Sequence, residues 1–309
     1  MLNFLIIGGG NLGFRYAEGI FKIRDKFKLT IIDKSHRRLE FLKQKLTLEI
    51  SNSNNKLELL TEIIIPRQFD LAIVSTNSDV RFKIFNDYNN THSVRYWILE
   101  KVLSPSLKEL SLFPKNNNIW VNTFLRSLKL FSQIKSKIST NNVSIEVTGG
   151  NWGLACNAIH YIDLASWIFN KMPNSINNDN LLENWFPSKR EGFFEINGVL
   201  LVKYSGDNNL MIKSNNSKEE LKIVLRDKTN TYTYNLISGD YQINMEEKDS
   251  IPIPFQSDMT ADVINEILES SNSSLAPIGE SIFMHELLIK AFKSNWDRNN
   301  LRTRPFKIT

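Results

Sequence analysis

The chain is poor in cysteine: Cys156 is the only one in 309 residues. That excludes an intrachain disulfide and any metal site built from several thiolates, and no metal is expected. Long apolar runs are missing too. Only Asn3 to Ile7 precede a glycine cluster, too few for a secretory h-region, and no later run approaches the roughly 18 residues of a membrane span. The expectation is a cytoplasmic protein without a membrane partner. Nor is there an arm or block of Lys and Arg, and the formal net charge is only +5, so no nucleic-acid partner is expected. What remains is ordinary globular composition, 41% hydrophobic and 23% charged. The length exceeds one typical core, so two domains are expected. Asparagine is frequent (Asn52, Asn54, Asn55, Asn116, Asn117, Asn118), which reads as loop composition rather than chemistry.

The first half alternates in type. Asn3–Ile7 is continuously apolar, as in a parallel strand buried on both faces. Asn11 to Phe21 has helical spacing, with Leu12, Tyr16 and Ile20 on one side. A second strand spans Lys28–Asp33, and a second helix Ser35 to Leu46. Asp70–Thr76 reads as a third strand, followed by a helix from about Val80 to Tyr88. Arg95–Leu99 is a fourth strand, and Trp120–Phe124 a candidate fifth. This alternation predicts a doubly wound parallel sheet. The pattern then changes. Helices at about Ser127–Ser139 and Ala155–Phe169 flank a strand at Val143–Thr148. Strand-like stretches follow at Phe193–Tyr204, Leu210–Ser214, Leu221–Arg226, Thr231–Ile237 and Tyr241–Met245. Consecutive strands of this kind predict a large, mostly antiparallel, open sheet. Helices at about Ala261–Glu269 and Gly279–Phe292 come last, and Asn174–Asn180 and Ser270–Ser274 read as loops. The fold class is α/β: a Rossmann domain over 1–122, then an α+β domain over 123–309.

Gly8-Gly9-Gly10-Asn11-Leu12-Gly13 is a G-x-G-x-x-G set directly between the first strand and the first helix. Only 13 glycines occur in the chain, yet four fall here. Gly8 permits a tight turn, Gly10 lets the backbone approach a pyrophosphate, and Gly13 lets helix and strand pack closely. The helix N-terminus at Asn11 and Leu12 offers N–H groups to a diphosphate. About twenty residues further on stands Asp33, where a carboxylate accepts hydrogen bonds from ribose hydroxyls. NAD is the expected cofactor, because the Asp33 charge repels a 2′-phosphate. Ser35, His36, Arg37 and Arg38 keep NADP open, unless the two arginines only line a solvated helix turn. Ser75, Thr76 and Asn77 lie at the carboxyl edge of the sheet, as cofactor contacts or, for Asn77, as a helix cap.

Glu100-Lys101-Val102 follows the fourth strand, and Cys156-Asn157-Ala158-Ile159-His160-Tyr161-Ile162-Asp163 opens the apolar helix. With the glycine loop, these segments resemble the Gfo/Idh/MocA oxidoreductases, the glucose–fructose oxidoreductase and inositol dehydrogenase family, in a layout that spans essentially the whole chain. The family pattern is Glu-Lys-Pro and Asp-x-x-x-His. Glu100, Lys101, His160 and Asp163 match it. Val102 stands where the proline would be, and a cis bond before valine costs about 2.5–4 kcal/mol. Cys156 stands in place of the aspartate, and a neutral thiol cannot stabilise an imidazolium as a carboxylate would. The resemblance implies an NAD(P)-dependent dehydrogenase or reductase of sugar metabolism. It implies Lys101 and His160 as catalytic residues, Glu100 beside the cofactor, and a homodimer or homotetramer formed through the C-terminal sheet. Without it, His160 reads as a core histidine; Lys101 is either a surface lysine or, from its place at the strand's carboxyl end, a functional one.

Candidate substrate groups are Asn122 and Arg126 after the last Rossmann strand, Asn157, Trp152 and the cations Lys189 and Arg190. Trp152 is a sugar platform or a packing residue. Lys189 and Arg190 hold a carboxylate or phosphate, or belong to a solvated loop. The expected substrate is a hydroxyl or ketone of a sugar-like molecule, nucleotide-linked or acidic. Two other readings stay open: a non-catalytic NAD(P)-binding regulatory protein on the same scaffold, and reduction of a tetrapyrrole or imine.

Overall fold

The structure is a computed structural model that describes residues 1–51, 53–139, 141–299, 301 and 303–309. Asn52, read above as loop composition, lies outside them. Strand and helix alternate first, as β1 (Leu2–Ile7), α1 (Asn11–Ile20), β2 (Phe27–Ile32), α2 (His36–Ser51) and β3 (Lys56–Leu60). There follow β4 (Gln68–Val74), α3 (Ser78–Thr91), β5 (Ser93–Leu99), the short α4 (Leu107–Leu112) and β6 (Ile119–Val121). Next come α5 (Lys129–Lys135), β7 (Ser144–Gly150), α6 (Leu154–Phe169), β8 (Ser175–Asn177), β9 (Phe186–Pro187) and β10 (Phe194–Glu195). The longer strands are β11 (Gly198–Lys203), β12 (Asn209–Asn215), β13 (Lys222–Arg226), β14 (Thr231–Asn235), β15 (Asp240–Ile243) and β16 (Glu246–Ser250). Then come α7 (Gln256–Ser270), β17 (Ala276–Pro277) and α8 (Ile278–Arg298).

The chain divides into two compact units. The first comprises Met1–Leu103, Phe113–Asn122 and Pro254–Ile278. Its sheet runs β17-β6-β5-β4-β1-β2-β3, parallel throughout except for β17 on β6. The order reverses between β1 and β4, the switch point at which open α/β sheets bind ligands. β1 lies inside the sheet between β4 and β2, and Phe4, Leu5 and Ile6 are wholly buried, which accounts for its unbroken apolar run. β3 is a third parallel strand ahead of Asp70–Thr76, so the stretch read as the third strand is the fourth. As an edge strand β3 is half-buried and polar at alternate positions, and so it gave little apolar signal.

The expected single boundary at residue 122 is corrected in two places. Ser104–Leu112 belongs to the second unit, and Pro254–Ile278 to the first. α7 packs on α1: Val263, Ile264 and Ile267 join Tyr16, Ala17 and Ile20 in one core. A Cβ on Gly19 would meet the Thr260 Cβ at 2.4 Å, so only glycine allows this approach. Lys22 and Asp258 add an ion pair of 2.6 Å.

The second unit holds an eight-stranded sheet, β16-β15-β14-β13-β7-β12-β11-β8, antiparallel except where β12 meets β7. α6 is buried along nearly its whole length, and the Tyr204 hydroxyl donates to Ile162 O at 3.2 Å. The expected strand Phe193–Tyr204 is broken into β10 and β11. Gly198 has φ +129°, and a Cβ there would lie 2.6 Å from Asn180 O. That close passage also explains β8, which forms inside the stretch read as a loop. The helix expected at Ser127–Ser139 is a 3-10 turn, Phe124–Ser127, followed by the shorter α5. Among the described residues no helix is long and apolar enough to cross a membrane.

Candidate active site

In the first unit the glycine loop joins β1 to α1 beside the carboxyl ends of β2 and β4. Gly8 takes φ +102°, and the Ser75 hydroxyl donates to its carbonyl at 2.7 Å. Gly13 is forced by packing: a Cβ would lie 1.9 Å from Gly8 O. Gly10, at the N-cap of α1, is different, because a Cβ there would meet nothing within 4 Å. The space over the helix N-terminus is therefore open to a ligand. Asp33 Oδ2 accepts from Gly9 N at 2.8 Å and Oδ1 from Ser35 N at 2.9 Å, which holds the carboxylate at the rim. A cavity of about 670 Å³ adjoins it, lined by Gly8, Asp33, His36, Glu62, Thr76 and Tyr88 among others. The Thr76 hydroxyl is buried and makes no hydrogen bond to a described residue. Ser75 thus props the loop, Thr76 faces the cavity, and Asn77 takes the exposed N-cap position of α3.

Arg38, left open above as a 2′-phosphate ligand, is engaged elsewhere. Its Nε donates to Gly9 O, its Nη2 to Asn11 Oδ1 at 3.1 Å, and its guanidinium lies 4.4 Å from the Phe41 ring centroid.

At the end of β5, Glu100 is buried and accepts from the Tyr16 hydroxyl and from Asn122 Nδ2. Burial, then the neighbouring Glu100 charge, push the Tyr16 phenol well above its usual range. Asn122 Nδ2 also lies 2.9 Å from Gln256 Oε1. Glu100 and Asn122 therefore bind the protein itself, tying α1, β5 and α7 together. The Lys101–Val102 peptide bond is cis, although valine replaces proline. Arg81, 1% exposed, donates to Val102 O and to Thr76 O. It joins the two loops that bear the candidate residues. Sequence reasoning missed it, although an arginine sharing a helix face with Ser78 and Phe85 was the available sign.

In the second unit α6 carries His160, 7% exposed and edge-on to Phe124 at 5.0 Å. One turn on, Asp163 is wholly buried. Its pKa is raised to about 6 by burial, against the pull of Arg126. Arg126 Nη1 lies 3.1 Å from Asp163 and 3.2 Å from Glu280, so this expected substrate group is committed to two carboxylates. At the start of α6, Glu195 accepts from the backbone N–H groups of Ala155 (2.8 Å) and Cys156 (3.2 Å). It was not anticipated; nothing in sequence links it to residues forty positions earlier. Trp152, Cys156, Asn157, Lys189 and Arg190 line one cavity of about 660 Å³ with Glu195. Asn157 Nδ2 donates to Trp152 O at 3.0 Å, and the Trp152 indole N–H to Lys213 O at 3.0 Å.

The TrkA-N domain model matches residues 4–86. No curated protein matches the chain, but solved structures match it along nearly its full length. A Gfo/Idh/MocA family oxidoreductase from Vibrio cholerae superposes with a TM-score of 0.70 at 14% identity, over 97% of this chain and 100% of that one. An oxidoreductase from Agrobacterium radiobacter, in complex with NAD+, L-tartaric acid and magnesium, gives 0.69 at 12%, over 96% and 97%. UDP-N-acetylglucosamine 3-dehydrogenase from Acidithiobacillus ferrooxidans gives 0.67 at 10%, over 94% and 96%.

Proposed function

We propose that this chain, whose fold is that of the Gfo/Idh/MocA oxidoreductases, is an NAD(P)-dependent dehydrogenase or reductase. Its substrate is a hydroxyl or ketone of a sugar-like molecule. The observation that carries the reading is the glycine loop: packing demands glycine at Gly13, whereas at Gly10 only a ligand would. Gly8, Gly10, Asn11, Leu12 and Gly13 would hold the diphosphate, Asp33 the ribose, and Thr76 the wall of the adjoining cavity. The Asp33 carboxylate, held at the rim by Gly9 N and Ser35 N, would repel a 2′-phosphate, which favours NAD.

Bound there, the nicotinamide would supply the hydride chemistry. The rest of the work falls to the chain's own groups. An alcohol that loses hydride must also lose its hydroxyl proton, and a positioned base or cation lowers that barrier. Lys101 and His160 are the two candidates for that role. Lys101 sits at the carboxyl end of β5, in a loop that Arg81 fixes through Val102 O. His160 sits on a helix that Glu195 fixes at its start. Calorimetry with NADH and NADPH tests the cofactor half. Wild type should prefer NADH and Asp33→Ala should lose that preference; a wild type that prefers NADPH refutes the assignment.

A further inference from the structure

The cofactor reading leaves one carboxylate of the first unit without a task. Beyond Asp33 the cavity of about 670 Å³ is walled by the ends of β2 and β3 and by α3, all within that unit. Asp33 N donates to Leu60 O at 3.1 Å, so the end of β2 is tied to the end of β3. Glu62 follows two residues later and lines the same cavity. Ile84 and Tyr88, one turn apart on one face of α3, supply further lining. The Tyr88 ring is itself held, its centroid 5.1 Å from that of His92. Burial, and then the charge of Glu62, push the Tyr88 phenol above its usual range. That carboxylate therefore lies within electrostatic reach of the ring.

The two acids of this cavity are not equivalent. Asp33 accepts from Gly9 N and Ser35 N, which holds it against the glycine loop, on the ribose side. Glu62 is exposed and makes no hydrogen bond or ion pair among the described residues. A carboxylate only accepts hydrogen bonds, so a group that meets Glu62 must bring its own N–H or O–H. A base joined to a ribose on Asp33 comes to lie in the same cavity, and aromatic and aliphatic surface suits its flat ring. Among purines, adenine carries an exocyclic amine where hypoxanthine carries a carbonyl oxygen. A carboxylate pairs with such an amine and repels the carbonyl. Lys34 and His36, exposed on the same cavity, offer N–H donors instead and would favour the carbonyl. The preference for one base over the other therefore tells which wall reads the ring.

We propose that Glu62 reads the base of the bound dinucleotide: its carboxylate accepts a hydrogen bond from the exocyclic amine of adenine, while the ring lies against Ile84 and Tyr88. The inference rests on the cofactor reading and adds to it a base specificity. Neither the glycine loop nor Asp33 provides one, because diphosphate and ribose are the same whichever base they carry. Isothermal calorimetry with NAD+, nicotinamide hypoxanthine dinucleotide and etheno-NAD+ tests it without turnover. The hypoxanthine compound puts a carbonyl in place of the amine, and the etheno bridge removes the amine hydrogens. AMP and IMP repeat the comparison without the nicotinamide half.

NAD+ should bind at least about tenfold tighter than either analogue, the lower end of what a hydrogen bond to a charged group contributes, as suits an exposed carboxylate. Glu62→Gln should bring NAD+ and the hypoxanthine compound to within about threefold of each other, since an amide can turn its oxygen to the amine or its NH2 to the carbonyl. The melting temperature should not change, because Glu62 has no partner among the described residues to lose. Glu62→Ala should weaken NAD+ and leave etheno-NAD+ where it was. Equal affinity for all three dinucleotides, or an adenine preference that survives in Glu62→Gln, overturns the inference. So does a preference for hypoxanthine, which would give the base edge to Lys34 and His36. NAD+ bound without base preference leaves the cofactor reading standing. AMP preferred over IMP with no binding of NAD+ does the reverse, and binding of neither overturns both.

Discussion

Replacing Gly10 and Gly13 by alanine, one at a time, separates fold from cofactor. A methyl group at residue 13 would fall 1.9 Å from Gly8 O, a backbone atom that cannot swing aside. Overpacking of this kind costs about 1–3 kcal/mol or more. The gain of up to about 1 kcal/mol from putting alanine for glycine in a helix offsets only part of it. Gly13→Ala should therefore lower the melting temperature by several degrees and weaken NADH together. A methyl at residue 10 meets no protein atom within 4 Å, and the backbone there has φ −61°, which alanine adopts freely. Its stability cost should stay within about 1 kcal/mol, the scale of a poorer N-cap residue. The same methyl would occupy the space through which a diphosphate reaches the helix, so NADH affinity should fall at least about tenfold, or 1.4 kcal/mol. Differential scanning calorimetry and isothermal titration measure the two quantities on the same samples. Gly10→Ala binding NADH like wild type would refute the placement of the diphosphate. Gly13→Ala as stable as wild type would refute the packing argument.

Lys101→Ala and His160→Ala should each reduce kcat at least about tenfold with NADH affinity intact; unchanged turnover of a reacting substrate in either variant removes that residue from the mechanism. Asp163 gives a pH signature. Its pKa is raised from 3.8 to about 6, so between those values the folded state binds more protons than the unfolded one. Stability should therefore fall as pH rises through that window, by up to about 1.4 kcal/mol per unit. Asp163→Asn should flatten the slope in melts at pH 4 to 6, and an unaltered slope would show that Asp163 does not carry it. Arg81→Met leaves the carbonyls of Thr76 and Val102 unpaired, at about 1–3 kcal/mol each. A melting temperature equal to wild type would show that water or a rearranged loop replaces the guanidinium.

The parts legible in sequence were those whose cause is local. β1, β2 and β4 read as strands because both of their faces are covered, and the glycine loop reads because one backbone shape demands glycine at fixed spacing. β3 escaped because an edge strand carries only half of that apolar pattern. α7 was recognised as a helix, but amphipathic spacing does not say which sheet its apolar face will cover. The site was legible as a set of residue types and much less as partnerships. Asn122 and Arg126 are polar residues in suggestive places, yet Glu100, Gln256, Asp163 and Glu280 claim them. Arg81 and Glu195 look like any charged side chains until the fold brings them to a carbonyl pair and a helix start.

The return of Pro254–Ile278 to the first unit has a consequence for how the protein is made. A ribosome releases the glycine loop and all six parallel strands within the first 122 residues, but α7 and β17 emerge only after the whole second sheet. Until then the α1 face that later packs under Val263, Ile264 and Ile267 stays bare, and β6 has an open edge. A nascent chain in that condition exposes apolar surface and an unpaired strand, the features that recruit chaperones. The first unit is therefore first to begin folding and among the last to finish.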